Sequence, residues 1–417
     1  MILVLDFGSP DTQLIARHVR EEKVYCEIYP GNKSLSSIEN LKDFKGIILS
    51  GDVSRINPKV RELGVPVISG AKFQREVKNS SGGKKNLQNF IFGTCGLKRS
   101  WTMKSYIAGE INRIKGQVGS GKVLCALSGG VDSSVAAVMV HKAIGKRLVC
   151  VYVDHGLQKF GENERVKKIF GKKFGKNLIM IDARKTFLGK LKGITDPEQK
   201  RKIIGHTFIE VFDREAKKIK GINFLLQGTI YPDIIESVIA KGAKQPIKSH
   251  HNVGGLPEKM KLKLVEPLKF LFKDEVRVLG RELGLPDEII RRQPLPGPGL
   301  AVRCIGDITE EKLRILKEAD HIVTQEIRKA GLYEKIWQSF AIILPVKTVG
   351  IKNDARSYEH VIVLRAVHSQ DAMTAQWVKL PYDLLNRISS RIINEVKGAN
   401  RVVYDISNKP PATIEWE

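Results

Sequence analysis

The chain has 417 residues, 42% of them hydrophobic, which is enough for two or three domains with ordinary packed cores. No stretch is apolar over the length of a membrane span. The opening MILVLDFG lacks a basic segment and is interrupted by Asp6, which argues against a signal peptide. We therefore expect a soluble, cytoplasmic protein with no membrane partner.

Charge and cysteine content narrow the class of protein. The net charge is +25 and the isoelectric point is near 9.7, which suits either RNA or small polyanionic substrates, and which a general lysine bias explains equally well. No segment interleaves basic and aromatic residues as a base-stacking surface does, so nucleic acid is the less favoured partner. Five scattered cysteines without a C-x-x-C pair argue against a zinc site and a disulfide framework.

The first 70 residues show the alternation of strand and helix signals that is typical of a β-α-β fold. ILVLDFG predicts a strand, residues 12–22 predict a helix, and VYCEIYP, GIILSG and PVIS predict further strands, which together make half of a doubly wound sheet. Residues 71–100 are polar, with SSGGKKN in the middle, and predict a loop or a short hairpin.

Two phosphate-loop patterns follow an amphipathic helix that begins at Trp101. The first, GQVGSGK, ends at Lys122 and is followed by Val123 where a P-loop needs a hydroxyl for Mg²⁺. It also precedes a strand, VLCAL, instead of following one. We interpret this first pattern as a basic, glycine-rich turn that leads into the strand.

The second pattern, SGGVDSS, has the order that phosphate binding requires, because it follows that strand and precedes the buried helix VAAVMVHKAI. Glycines let the backbone approach an anion, and the N–H groups at a helix start point at it. A carboxylate beside phosphate makes sense if it helps to hold Mg²⁺. The predicted ATP-binding residues in this loop are Ser128, Gly129, Gly130, Val131, Asp132, Ser133 and Ser134.

Alternating strands and helices continue after this loop and predict a parallel sheet. LVCVYVDHG, NLIMIDA and NFLLQGT predict its strands, and QPIKSHHNVGGLPEKMKLK predicts a long loop that acts as a lid. The run QPLPGPGLAVR marks a domain boundary. Residues 304–417 predict a helix over 310–330, two strands, a helix over 384–397 and a last strand VVYDI, an α+β arrangement with helices on one side of a small sheet.

SGGVDSS resembles the PP-loop of ATP pyrophosphatases, which split ATP between the α and β phosphates. DPEQKRKIIG, IKSHHNVGGLP, QPLPGPGLAVR, DARSYEHVIVLRAV and the ending KPPATIEWE resemble the bacterial GMP synthetase family, from about Trp101 to Glu417. The resemblance implies an adenine nucleotide α-hydrolase-like α/β domain over 101–292 and an α+β dimerisation domain over 293–417. It also implies ATP and Mg²⁺, xanthosine monophosphate (XMP) and ammonia as substrates, and a homodimer.

The same resemblance implies roles for further residues. Gly228 and Thr229 are expected near ATP, and Asp132, Asp233 and Glu236 are expected to serve as Mg²⁺ or substrate ligands; the less favoured alternative for Asp233 and Glu236 is that they stabilise the start of a helix. Asp132, Ser133 and Lys409 are the implied catalytic residues. The implied XMP-binding residues are Arg201, Gln338, Lys409, Ile414 and Glu415.

Residues 1–100 resemble a class I glutaminase domain that has been cut short. The family's nucleophilic cysteine would follow PVIS, where this chain has Ser69 and Gly70, and Gln74 and Arg75 stand for the histidine and proline of the closing F-H-P-E-V region, with Glu76 kept. We therefore expect ammonia, free or from a separate glutaminase, to be the nitrogen source. A PP-loop enzyme acting on tRNA and a non-catalytic binding subunit are the alternatives.

Overall fold

The computed structural model describes residues 1–32, 38, 41–52, 54, 56, 58–70, 82–240, 262–352, 354–369 and 372–417. Residues 245–261 of the predicted lid, together with Gln74, Arg75 and Glu76, lie outside the described residues. The chain packs into two compact units. The first comprises Met1–Arg113, Thr229–Gln245 and Leu268–Glu282; the second comprises Ile114–Gly228, Pro246–Pro267 and Leu283–Glu417. The domain bounds drawn from the sequence, after residues 100 and 292, stay predictions.

Helices and strands alternate along most of the chain. The strands are β1 (Ile2–Phe7), β2 (Cys26–Pro30), β3 (Gly46–Gly51), β4 (Val67–Ser69), β5 (Lys122–Ala126), β6 (Leu148–Asp154), β7 (Leu178–Asp182), β8 (Ile222–Leu226), β9 (Lys263–Val265), β10 (Gln338–Lys352), β11 (Ala355–His368), β12 (Gln376–Trp377) and β13 (Ala399–Asp405). The α-helices are α1 (Thr12–Glu21), α2 (Gly82–Gln88), α3 (Met103–Val118), α4 (Val131–Ile144), α5 (Glu162–Phe174), α6 (Arg184–Leu191), α7 (Pro197–Ala216), α8 (Tyr231–Ala240), α9 (Lys273–Glu282), α10 (Asp287–Ile290), α11 (Glu310–Lys329) and α12 (Tyr382–Glu395).

The first unit contains a four-stranded parallel sheet in the order β2-β1-β3-β4. β1 and β3 are apolar along most of their length because both faces of a parallel sheet are covered. The predicted strands and the helix over residues 12–22 are confirmed. The prediction of a loop or short hairpin over residues 71–100 is wrong in part, because α2 and a π-helical turn, Asn89–Thr94, lie within this segment. Leu87, Phe90 and Ile91 fall on one helical face and are buried, and this spacing was hidden by the polar residues around them.

The second unit contains a five-stranded parallel sheet in the order β7-β6-β5-β8-β9. The predicted parallel sheet is therefore confirmed, with β5 at its centre. The first phosphate-like pattern is also the predicted turn: α3 ends at Val118, Gly119 has a positive φ of 53°, and β5 begins at Lys122.

The second unit also contains the predicted small α+β sheet. β10 pairs antiparallel with β11, and the other edge of β11 pairs with β13 in parallel and with β12 in antiparallel orientation. One face of the sheet packs with α11 and α12 in a continuous core, and the opposite face buries Phe340, Val363 and Ile414. Among the residues that the structure describes, no helix has the length and apolarity needed to cross a bilayer.

Candidate active site

The predicted phosphate loop lies at the carboxyl end of β5, the central strand of its sheet. Gly130 is the N-cap residue of α4 and contributes no side-chain cap, so the first turn of the helix has backbone N–H groups without intrahelical acceptors. Nearly the whole of α4 is buried, which holds this helix start in place. The loop therefore has the geometry of an anion site, with helix dipole and backbone donors directed at one point.

The serines of the loop are not equivalent. The hydroxyls of Ser128 and Ser133 are 2.8 Å apart on the open side of the loop, and the Gly130 N–H donates to Ser128 Oγ at 3.3 Å. Ser134 is fully buried, and its backbone N–H donates to the Gly130 carbonyl at 3.1 Å. Ser128 and Ser133 are thus the hydroxyls that a phosphate could reach, while Ser134 faces the interior.

Gly129 is fixed by its neighbours as well as by its backbone. Its φ is +75°, and a Cβ there would lie 2.7 Å from Glu162 Oε1 and 3.1 Å from Val166. Glu162 is almost fully buried and accepts from Arg292 Nη1 at 2.6 Å, and the same guanidinium donates to the Gly129 carbonyl at 2.9 Å. A buried ion pair therefore fastens the phosphate loop from behind.

Gly228 lets the end of the neighbouring strand β8 approach the same helix start. A Cβ on Gly228 would come within 3.2 Å of the Ser133 nitrogen and of the Asp132 carbonyl carbon. The structure thus brings Gly228 together with the second half of the predicted ATP loop. A side chain at this position would push the two segments apart, which explains the glycine in QGT.

The remaining predicted ATP and metal residues belong to the first unit. Thr229 follows Gly228 in the chain, and Asp233 lies in the first turn of α8, where its carboxylate accepts from the Ile230 N–H at 3.0 Å. Glu236 lies within α8, and its side chain is outside the described residues. No group of three or more His, Cys, Asp or Glu side chains suited to a metal occurs among the residues described.

The tail from Ser407 to Glu417 is held by three fully buried cations, Lys200, Arg303 and Arg365. Arg365 donates to the Ser407 carbonyl at 2.6 Å and to the Thr413 carbonyl at 3.1 Å. Arg303 makes a two-point contact with Glu415, at 2.9 and 2.8 Å, and its guanidinium lies 3.9 Å from the Phe340 ring centre. Lys200 forms an ion pair with Glu417. Burial of a charge is tolerated only with such partners, so the tail and these cations form one structure.

This arrangement brings most of the predicted XMP residues together. Gln338, the first residue of β10, donates to Glu415 Oε1 at 2.6 Å, and Ile414 is buried beside them. Arg201 on α7 donates to the Glu417 carbonyl at 2.6 Å. Lys409 lies earlier in the same tail, where its ammonium donates to the Ala372 carbonyl at 2.8 Å. The Glu415 carboxylate of the tail thus meets the amide of Gln338 from β10, Arg201 from α7 contacts the end of the tail, and Lys409 is held separately near Ala372.

The first unit holds two thiols, and burial raises the pKa of each to about 11. Cys26 is fully buried at the start of β2 and donates to the Ala16 carbonyl at 3.3 Å; Cys95 follows the π-helical turn. The single histidine among residues 1–100, His18, pairs with Glu21 at 3.0 Å. A thiol with a raised pKa is a poor nucleophile at neutral pH, since the thiolate is the reactive form.

Several residues that support the site were missed in the sequence. Arg292 stands directly before the predicted boundary run and Arg303 is the last residue of that run, Lys200 stands beside the recognised Arg201, and Glu162 carries no local pattern. A charged residue in an otherwise apolar or proline-rich segment was the one available signal. The partners of Arg303, Arg292 and Lys200 lie 112, 130 and 217 residues away along the chain, a separation that a local pattern cannot reveal.

Comparison with known proteins places these features in a family. Residues 325–416 match the family model "GMP synthase C terminal domain", and residues 121–171, which run from β5 through the phosphate loop, α4 and β6 into α5, match "tRNA methyl transferase HUP domain". The GMP synthase (glutamine-hydrolyzing) of Brachyspira hyodysenteriae is 47% identical over 508 aligned positions, covering 100% of this chain and 99% of that protein. The protein of the same name from Clostridium botulinum strain Kyoto is 46% identical over 509 positions, with the same coverage.

A solved NMN synthetase from Francisella tularensis superimposes with a TM-score of 0.38 and 14% identity over 48% of this chain and 79% of that one, a likeness too weak to inform function. The family assignment rests on the curated relatives, which align over the whole chain. Their alignments are longer than the 417 residues of this chain, so they contain positions that have no counterpart here. With 47% identity across the whole chain, and with the phosphate loop and the tail in place, the chain belongs to the GMP synthase family.

Proposed function

We propose that this GMP synthase converts XMP to GMP in two steps and takes its nitrogen from ammonia. In the first step the C2 oxygen of XMP attacks the α-phosphorus of ATP, and the bond to the bridging oxygen breaks to release pyrophosphate. In the second step ammonia attacks C2, AMP leaves with the former C2 oxygen, and one proton is lost to solvent. The products are GMP, AMP and pyrophosphate.

The phosphate loop supports the first step. Negative charge develops on the departing pyrophosphate, and preorganised N–H and hydroxyl donors at that position lower the barrier. The start of α4 together with Ser128 and Ser133 supplies such donors, and the Arg292–Glu162 pair keeps the loop rigid. This anchored loop is the single observation on which the ATP-splitting role depends.

Mg²⁺ fits this site as a companion of ATP. Mg²⁺ commonly binds through one or two carboxylates plus substrate phosphates, so a set of three protein ligands is not needed. Asp132, in the first turn of α4, would hold it, and Asp233 and Glu236 of α8 stay ligands that the family resemblance alone implies. When bound, the ion neutralises phosphate charge and favours departure of pyrophosphate.

The anchored tail supports XMP binding. Arg201 and Lys409 can hold the phosphate of XMP, and the carboxylate of Glu415 can accept from a purine N–H while Gln338 orients it. The contact of Arg201 with the Glu417 carbonyl uses part of a guanidinium that has five donors. Ile414 is buried beside Phe340 and fixes the backbone on which Glu415 stands.

Ammonia dependence is supported by the chemistry of the first 100 residues. A class I glutaminase needs a thiolate, a histidine base and an orienting acid. Cys26 and Cys95 have raised pKa values, and the one histidine pairs with Glu21. We therefore infer that glutamine is not hydrolysed by this chain, and that a separate glutaminase, where one acts, is the partner that delivers ammonia.

A homodimer is the proposed assembly, through the sheet of β10 and β11. Val349 and Tyr358 are paired across these strands, and both are exposed, as is Ile351. Neighbouring exposed apolar residues on a soluble protein mark an association surface. Sedimentation of the wild-type protein as a monomer would contradict this part of the proposal.

The two-step reaction is tested by isotope exchange. Purified protein is incubated with ATP, Mg²⁺ and labelled pyrophosphate, without any nitrogen donor, and incorporation of label into ATP is measured with and without XMP. Reversible adenylylation of XMP predicts exchange that requires XMP. Exchange that is equal without XMP, or absent in both samples, would refute the proposed first step.

A further inference from the structure

Lys200 has no assigned part in the reaction, although it stands beside Arg201 and is fully buried. It lies near the start of α7, a helix whose beginning is fixed by Pro197 and by the Asp196 side chain, which accepts from the Gln199 N–H. Consecutive residues on a helix point in directions about a quarter turn apart. Lys200 therefore faces the interior while Arg201 is partly exposed.

The interior partner of Lys200 is Glu417. The ammonium forms an ion pair with one carboxylate oxygen of Glu417 and donates to the Cys304 carbonyl at 2.9 Å. The other carboxylate oxygen accepts from the Gly306 N–H at 3.2 Å. The Glu417 side chain is thus gripped by a helix residue and by the backbone that follows Arg303.

Two sets of contacts hold the tail: one at Glu415, the carboxylate predicted to bind the substrate, and a second clamp at Glu417. Glu415 is held by Arg303 and Gln338, and two residues later Glu417 is held by Lys200, while Arg201 donates to the Glu417 carbonyl. The register between Arg201 on α7 and Glu415 in the tail therefore depends on the second clamp.

We propose that Lys200 and Glu417 are a positioning pair for XMP: their ion pair fixes the distance between the proposed phosphate-binding Arg201 and the proposed base-binding Glu415. The inference rests on the proposed function, because XMP is the ligand that both ends would meet. Neither residue of the pair needs to touch the substrate. Its loss loosens one end of the XMP site and leaves the phosphate loop at β5 intact.

The test compares Lys200→Met with Lys202→Met in the full-length protein. Lys202 is exposed on the same helix, so its replacement removes the same charge without touching the tail. We expect Lys200→Met and Glu417→Gln each to raise the KM for XMP by tenfold or more, with the KM for ATP changed less than twofold. Lys202→Met should behave like the wild type.

The double variant Lys200→Met/Glu417→Gln keeps the test decisive. If the two residues act as a pair, the double variant has about the same KM for XMP as the worse single variant, because the second change removes nothing more. Equal loss of XMP and ATP binding, or fully additive effects, would overturn the positioning role and indicate general damage to the fold. A wild-type enzyme without XMP turnover would instead refute the proposed function, so the two failures are distinguishable.

Discussion

The substitution Gly129→Ala tests the phosphate loop with a single added carbon. Gly129 has a φ of +75°, and the new Cβ would lie 2.7 Å from Glu162 Oε1, closer than such atoms pack. Glu162 is buried and bound to Arg292, which also holds the Gly129 carbonyl. Either the loop or the ion pair must therefore move.

The size of the effect follows from these contacts. Left-handed backbone at alanine costs about 1–2 kcal/mol. Breaking a buried ion pair costs about 3–5 kcal/mol, and the real cost lies below that limit because the loop shares the displacement. If about 3 kcal/mol of this combined cost adds to the activation free energy of the ATP-splitting step, the rate of that step falls by about a hundredfold.

A matched control separates backbone strain from the clash. Gly284 has a φ of +73°, and a Cβ there meets nothing within 4 Å, so Gly284→Ala carries the strain alone. XMP-dependent pyrophosphate exchange is measured for both variants at saturating ATP. We expect a large loss for Gly129→Ala and little change for Gly284→Ala. Equal exchange rates in the two variants would refute the account of how this loop is held.

Two further predictions concern stability. Glu275→Gln should lower the free energy of opening of α1 and α9 by about 3 kcal/mol, because the buried Arg20, 3.2 Å from Glu275, loses its counter-charge. Hydrogen exchange of peptides 12–21 and 273–282 measures this free energy. Glu282→Gln is the control, since Glu282 is exposed on the same helix. Burial lowers the pKa of His155 from 6.5 to about 4. Between these values His155 takes up a proton in the unfolded chain but not in the folded one. Stability is therefore constant above pH 6.5 and falls by at most about 3 kcal/mol as the pH drops toward 4. His155→Gln should flatten this part of the urea-midpoint profile, and an unchanged slope would contradict the assignment.

The local pattern of the sequence was sufficient for most of the elements and for the strand, loop and helix order around residues 128–134. Strand, glycine loop and buried helix stand next to one another in the chain, so periodicity and backbone chemistry identify them directly. The helix over residues 82–88 was missed because its apolar residues are few and lie among lysines, glycines and asparagines. Its burial depends on the sheet against which it packs, and that sheet is distant in sequence.

The supports of the site could not be predicted in the same way. Lys200, Arg303 and Arg365 look like surface cations in a chain of net charge +25, yet each is fully buried against the tail. What makes them internal is a set of carboxylates and carbonyls brought near by the fold. Family resemblance pointed to Arg201 and Glu415, which are expected to contact the substrate, but not to the residues that hold them.

The nitrogen source is the most direct test of the central claim. Purified protein with Mg²⁺, ATP and XMP receives equal concentrations of ¹⁵N-ammonium and unlabelled glutamine, and the mass of the GMP formed is measured; a parallel sample receives glutamine alone. The account predicts GMP carrying ¹⁵N throughout, no GMP from glutamine alone, and a rate that rises with pH in the neutral range because NH₃ is the nucleophile. Substantial unlabelled GMP, or turnover on glutamine alone, would contradict it.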